Sequence, residues 1–373
     1  MASSTQPTSP QGPESSTTPL GEDTSGENNP AGQFLPPMDQ LEDGIEVDSK
    51  RLDFAYVKHH SRYLGKWTTV PFIRQVTYVA FSPDPCFNSS HYLTIASEYA
   101  FPNDEAEAER LDMQHAMQSH LLGDRLFWAP IGDTPQRVVD LGTGTGIWAI
   151  DFADMFPSAD VVGTDLSNIQ PTWVPPNCRF EIDDAEAEWT WPENHFDYIH
   201  NRNFVCAIRD WPSLIQKTYQ HVAPGGWVEW HEKHPEFLSD DNSLAPDSAL
   251  SQWSTKFFEA SVIFGADAHS PRNLRRWMEE TGFVDVEEHI LKLPLGSWPR
   301  EPRLKRCGLF EMVNMTQGIQ ALTVMLFTRC LGMTPNEVEL FLMSVRKDVK
   351  DKSIHSYYHF YVVFGRKPPI PQS

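Results

Sequence analysis

The 373-residue chain carries 51 acidic against 30 basic side chains, a net charge of −21. Nine acids and one lysine fall in the first fifty residues, so −8 sits there and −13 on the rest; a chain this acidic is a poor grip for phosphate backbones, and its charge fits plain solubility. Five scattered cysteines (Cys86, Cys178, Cys206, Cys307, Cys330) form no CxxC pair, and no run reaches 18 apolar residues, so no disulfide framework, zinc site or membrane span is expected.

In chain order, residues 1–40 are mostly Ser, Thr, Pro, Gly and acids, too polar to offset the entropy of ordering, and are expected to form a disordered acidic tail. The opening "MASSTQPTSP" is no signal peptide, and with unpaired thiols it points to a cytoplasmic or nuclear setting. Residues 41–92 contain aromatics but no sustained period of 2 or 3.6, and no element is assigned to them. From residue 93 to 367 the pattern is that of one domain. "PNDEAEAERLDMQHAMQSHLLG" predicts a helix with Asn103 or Asp104 as N-cap, Gly123 as terminator, and Met113, Ala116, Met117 and Leu121 on one face.

Short apolar runs then alternate with helical patterns. "RVVDLG", "ADVVGTDLS", "CRFEIDDAEA", "FDYIHNRNF" and "GGWVEWHE" read as strands, with helices at "GIWAIDFADMF" and "WPSLIQKTYQHV". This alternation predicts a parallel sheet with helices on both faces. Beyond it, "SPRNLRRWMEETG" predicts a helix with Ser270 as N-cap, Pro271 at its first position and Gly282 past its end. "FVDVEEHILKL" and "YYHFYVVFGRKP" predict two more strands, separated by a helical insertion at 302–349 that splits near "LGMTPNE". The insertion is expected above the sheet's carboxyl edge, where Leu309, Phe310, Met312, Met325 and Phe327 would roof an acceptor pocket or else form plain core.

The glycine turn "GTGTG" (Gly142, Gly144, Gly146) joins the first strand to its helix, the arrangement that brings a ligand to a helix N-terminus. It is not the G-x-G-x-x-G of dinucleotide enzymes, which counts against a nicotinamide cofactor. Acids stand at three successive strand ends. Asp140 suits the ammonium of an amino acid, Asp165 the two hydroxyls of a ribose, and Asp184 the amino group of an adenine. Singly, each has a structural reading, such as a tight connection or a helix cap. Together they describe S-adenosylmethionine.

"VVDLGTGTGIWAIDFADMFPSADVVGTDLS" resembles motif I and the acidic loop of class I S-adenosylmethionine-dependent methyltransferases. More narrowly, "FPNDEAEAERLDMQHAM", "FDYIHNRNF", "PGGWVEWHE" and the closing "YYHFYVVFGRKP" are similar to the fungal LaeA-like methyltransferases, over about residues 92–367. The resemblance implies a Rossmann-like α/β fold with a seven-stranded sheet. It also implies S-adenosylmethionine as cofactor, held by Tyr99, Asp140, Gly142, Thr143, Gly144, Gly146, Asp165, Leu166, Asp184, Ala185 and Asn201. No metal is expected. That family contains both cluster enzymes and regulators of secondary metabolism.

Methyl transfer depends chiefly on positioning, and needs a base only where the acceptor must lose a proton. His231, Glu232 and Arg202, at the ends of the fourth and fifth strands, are the catalytic candidates. His231 is the preferred base, and Arg202 is suited to orient a carboxylate. A structural histidine and an internal salt bridge are the competing readings. Trp148, Trp189 and Trp191 either line the site or pack in the core. The expected function is methylation of a small-molecule intermediate in fungal secondary metabolism. The alternative is a regulator acting through protein partners. Neither nucleic acid nor membrane is an expected partner. The acceptor, and the choice of O, N or C, are not written in the sequence.

Overall fold

A computed structural model describes residues 105–370. The acidic tail, the segment 41–92, Tyr99 and the N-cap positions Asn103 and Asp104 lie outside the described residues. Within them the order is α1 (Glu105–Leu121), β1 (Arg137–Leu141), α2 (Ile147–Met155), β2 (Asp160–Asp165), β3 (Cys178–Ile182), β4 (Phe196–Arg202), α3 (Trp211–His221) and β5 (Val222–Leu238). There follow α4 (Ala249–Phe264), α5 (Leu274–Thr281), β6 (Val284–Pro294), α6 (Pro302–Leu331), α7 (Pro335–Lys350) and β7 (Tyr357–Arg366).

Seven strands form one sheet in the order β3-β2-β1-β4-β5-β7-β6. The first five run parallel, but β7 lies antiparallel to both β5 and β6, so the sheet is mixed rather than all-parallel. The slot between β5 and β6 demands a strand buried on both faces. "YYHFYVVFGR" meets that demand, being buried at eight of its ten positions.

Strand alternation sends neighbouring residues into two separate cores. Val138, Tyr198, Phe360 and Val362 pack with Trp148, Phe152, Trp253, Ile319 and Phe327 beneath α1, α2, α4, α6 and α7. Val139, Ile199, Trp230 and Val363 pack on the other face with Trp211, Leu214 and Met278 from α3 and α5. The expected face of α1 is buried at Met113, Ala116, Met117 and Leu121. The four described cysteines are free, and no described helix is long and apolar enough to cross a membrane.

Three elements depart from the sequence reading. The helix expected from Ser270 begins as a 3-10 turn (Ser270–Asn273) and becomes α-helical only at Leu274. Ser270 is buried there without a partner for its hydroxyl, so it caps nothing; Gly282 does close the helix, at φ 109°. Strand β5 runs on to Leu238 through Lys233, His234 and Pro235, with its pairing to β7 interrupted between His234 and Leu238. A proline interior to a strand is tolerated at such an irregularity. Helix α4 was not anticipated, although Ser248 caps it by accepting from the Ser251 amide and Gly265 ends it.

The insertion forms α6 and α7, which break at Gly332 as expected. Thr334 and Glu337 make a reciprocal capping box at the start of α7, with the Thr334 amide donating to Glu337 at 2.7 Å. Thr334→Ala is expected to lower stability by about 1 kcal/mol, read as a shift in denaturant midpoint at constant slope. An unchanged midpoint would mean that α7 is held by packing alone.

Candidate functional site

The main cavity lies at the carboxyl ends of β1, β2, β3 and β4, roofed by α1. Its wall includes Gly142, Thr143, Gly144 and Thr145 of the glycine loop, Asp165 and Leu166 after β2, Asp183 to Glu186 after β3, and Arg202 to Phe204 after β4. Helix α1 contributes Leu111, Gln114, His115 and Gln118. Eight of the sequence-predicted site residues thus share one cavity: Gly142, Thr143, Gly144, Asp165, Leu166, Asp184, Ala185 and Arg202.

The three glycines do different work. A Cβ on Gly142 would sit 1.9 Å from the Phe204 ring, and one on Gly146 would sit 2.2 Å from Phe180. These two glycines let aromatic rings pack against the turn, and Gly146 is not on the cavity wall. At Gly144, with φ +59°, the Cβ direction is open except for Leu111 at 3.5 Å. Of the three, it is the one that shows bare backbone to the cavity. Its amide donates to Asp165 Oδ2 at 2.8 Å, and its carbonyl accepts from Gln170 at 2.6 Å, so the turn is fixed before anything binds.

Asp165 also accepts from the Ser167 amide at 2.8 Å, and burial raises its pKa against these two bonds. Asp184 accepts from the Glu186 amide at 2.8 Å, shaping the loop after β3. Asp140 does not reach the wall. It is buried beneath the loop, accepting from Thr143 Oγ1 at 2.6 Å and bonded to His200 Nδ1 at 2.7 Å. Burial pushes its pKa up to about 6 despite the pull of Arg202 and Thr143. Thr143 thus stands between Asp140 and the cavity. Asn201 is likewise turned away, into the opposite face of the sheet, donating to the Leu141 carbonyl at 3.0 Å.

Register explains the catalytic candidates. His200 and Arg202 on β4 stand beside Glu229 and His231 on β5, all four on the face covered by α1 and α2. Arg202 bonds His115 Nδ1 at 2.9 Å, and His115 Nε2 meets Asp151 at 2.9 Å. Glu232 is a correction: it points to the other face, accepting from the amides of Phe204 at 2.7 Å and Val205 at 2.9 Å. Burial pushes its pKa up to about 8 against those two bonds. It shapes the loop that carries Asn203 and Phe204 into the cavity, and its own side chain lines no part of that cavity.

The insertion was expected either to roof the acceptor pocket or to form plain core, and among the described residues it lines no part of the main cavity. Phe327 is fully buried in the core, while Leu309, Phe310, Met312 and Met325 are half-buried. Helix α6 instead packs on α1, with Arg110 donating to Asn314 Oδ1 at 2.5 Å, and so supports the true roof from behind. Trp189 and Trp191 are core or packed against it, and Trp148 stacks on His200 at a centroid distance of 3.7 Å.

Sequence reasoning missed the polar face of α1. Asp112 accepts from Thr145 of the glycine loop at 2.7 Å, and burial lifts its pKa to about 6. Gln118 donates to Asn203 at 2.8 Å. The available signal was a row of polar residues (Gln114, His115, Gln118) interleaved with Met113 and Met117 on a helix that should otherwise bury them.

A family model described as a methyltransferase domain matches residues 113–288. Methyltransferase pytC of Aspergillus terreus is 41% identical over 274 residues, spanning 73% of this chain and 84% of its own. The secondary metabolism regulator LAE1 of Cochliobolus heterostrophus is 36% identical, over 72% of this chain and 90% of its own. The secondary metabolism regulator laeA of Aspergillus fumisynnematus is 33% identical, over 72% of this chain and 73% of its own.

Proposed function

Because the chain belongs to the LaeA-like class I S-adenosylmethionine-dependent methyltransferases, we propose that it methylates a small-molecule intermediate of fungal secondary metabolism. The observation that carries this reading is the cavity in which Gly144 presents bare backbone beside Asp165 and Asp184. S-adenosylmethionine supplies an electrophilic methyl group on a sulfonium. The residues present fit it: Asp165 and Leu166 at the ribose, Asp184 and Ala185 at the adenine, and the glycine turn at the amino-acid end. Asp140 acts there by way of Thr143.

Arg202 and the α1 residues His115 and Gln118 close the other end of the same cavity and face the acceptor. A concave wall with a few placed polar groups suits a small molecule better than a protein surface. The relatives named as regulators support a second reading, in which the same fold serves gene control. Metabolite profiling of a deletion strain separates the two. Loss of one methylated compound and accumulation of its precursor is the expected result. Silencing of many unrelated pathways would favour the regulator.

The cofactor site has its own test. Asp165→Ala is expected to weaken binding of S-adenosylhomocysteine by about 10- to 100-fold, the scale of a charge-assisted hydrogen bond, and Asp165→Asn by less. Calorimetric titration reads the difference. A dissociation constant within about twofold of wild type would reduce Asp165 to a brace for the Gly144 and Ser167 amides.

A further inference from the structure

Beside the main cavity lies a second, smaller chamber with room for about one water-sized group. Its wall is formed by His115, Gln118 and Arg202, which it shares with the main cavity, and by Leu122, Leu126, Trp148 and His231 among others. His231 is bonded through Nε2 to Glu229 Oε1 at 2.6 Å, and no described group bonds its Nδ1. Both residues are buried.

Glu229 is held from every side. Its Oε1 also accepts from the Trp128 amide at 2.8 Å, and its Oε2 accepts from the Ala129 amide at 2.8 Å and from the Tyr198 hydroxyl at 2.9 Å. Burial works against the carboxylate, yet the bonds from His231 and Ala129 keep its pKa below the ordinary value, so it stays ionised. Burial also raises Tyr198 well above its usual pKa, which keeps Tyr198 a donor. A saturated carboxylate of this kind accepts the Nε2 proton of His231 and fixes the tautomer in which Nδ1 carries a lone pair. Arg202, the register partner of His231 on β4, stands alongside.

We infer that His231 is the general base for a hydroxyl acceptor, a phenol or an enol, that seats its oxygen in this chamber, with Glu229 as the positioning residue that sets the base's tautomer. The inference rests on the methyltransferase reading. The Nδ1 lone pair meets an O–H, and the Arg202 guanidinium favours the developing oxyanion, whereas an ammonium acceptor would meet a fixed cation. The acceptor's O–H bond breaks and its proton passes to Nδ1. The oxygen pair forms the bond to the methyl carbon, and the C–S electrons remain on sulfur. The proton afterwards leaves His231 for solvent. The product is a methyl ether.

The test compares wild type, His231→Gln and Glu229→Gln, with melting temperature measured on every sample. Ring 15N spectra of histidine-labelled protein, assigned by the signal lost in His231→Gln, are expected to show a protonated Nε2 and an unprotonated Nδ1. In Glu229→Gln this tautomer should lose its dominance. S-adenosylhomocysteine affinity should stay within about twofold in both variants. In a deletion strain fed methyl-deuterated methionine, the wild-type gene should restore a labelled methyl on oxygen. His231→Gln should reduce that product at least about 100-fold and Glu229→Gln at least about tenfold. A label on nitrogen, a protonated Nδ1 in the wild type, or full product from His231→Gln would overturn the base. Failure of the wild type to bind S-adenosylhomocysteine, or to yield any labelled product, would instead remove the methyltransferase reading and the inference with it.

Discussion

Gly144→Val is expected to abolish cofactor binding, by at least about 100-fold, in a protein that still folds. The backbone there has φ +59°, and a β-branched residue held in that region costs about 1–3 kcal/mol. A Cβ there meets only Leu111, at an ordinary contact distance of 3.5 Å. Gly144 stands on the cavity wall, so the valine is expected to take space from the ligand. Gly142→Ala makes the contrast: its methyl would strike the Phe204 ring at 1.9 Å, so it should disturb the loop whether or not a ligand is present. Calorimetry with S-adenosylhomocysteine and thermal melting on the same samples separate the two effects. A folded Gly144→Val protein with wild-type affinity would show that the cofactor does not sit on this turn.

Phe327→Glu is expected to unfold the domain. The ring is fully buried in the core shared by α4, α6 and α7, near Phe341. Removing the ring alone costs about 3–5 kcal/mol, and an unpaired buried charge adds to that, a total comparable with the whole stability of a domain. Met312→Glu should be far milder, at about 1–2 kcal/mol, because Met312 is half-buried and its new carboxylate reaches solvent. Far-UV circular dichroism during denaturant titration reads both. If Phe327→Glu remained folded and bound cofactor but failed to transfer a methyl group, α6 would regain its place as the acceptor's roof.

The β/α alternation was legible because each strand of the first half is a short apolar run bounded by turn residues, and "VVDLG" or "ADVVG" has no competing helical period. The glycine turn and the acids at 165 and 184 were legible for the same reason: chemistry at strand ends follows from order along the chain. What the sequence concealed depends on contacts between distant segments. The polar row in "LDMQHAMQSH" marks a second buried face, but that this face closes over the glycine loop follows only from α6 packing on the helix. Glu229, Glu232 and His231 look equivalent in "WVEWHE". Strand alternation separates them, but only the fold brings the amides of Phe204 and Val205, 28 and 27 residues upstream, onto Glu232. Helix α4 had its cap, its terminating glycine and its apolar spacing in plain view, with Leu250, Trp253 and Phe257 all buried. The charged and proline-bearing "EKHPEF" hid the far half of β5 because the period-2 signal fails at the irregularity itself.

The placement of β7 between β5 and β6 bears on how the protein is made. When the ribosome has finished β5, that strand's outer edge has no partner, and residues 239–356 must be synthesised before β7 arrives to cover it. Throughout that interval the nascent chain exposes the amide and carbonyl row of a seventeen-residue strand, the kind of edge that recruits other chains. Messages or proteolytic fragments ending before Tyr357 would therefore leave two open edges, on β5 and on β6, and remove Phe360 and Val362 from one core and Tyr361 and Val363 from the other. Such products are expected to engage holdase chaperones and to be cleared, so the last few per cent of translation decides whether any of the cofactor site, assembled far earlier, becomes usable.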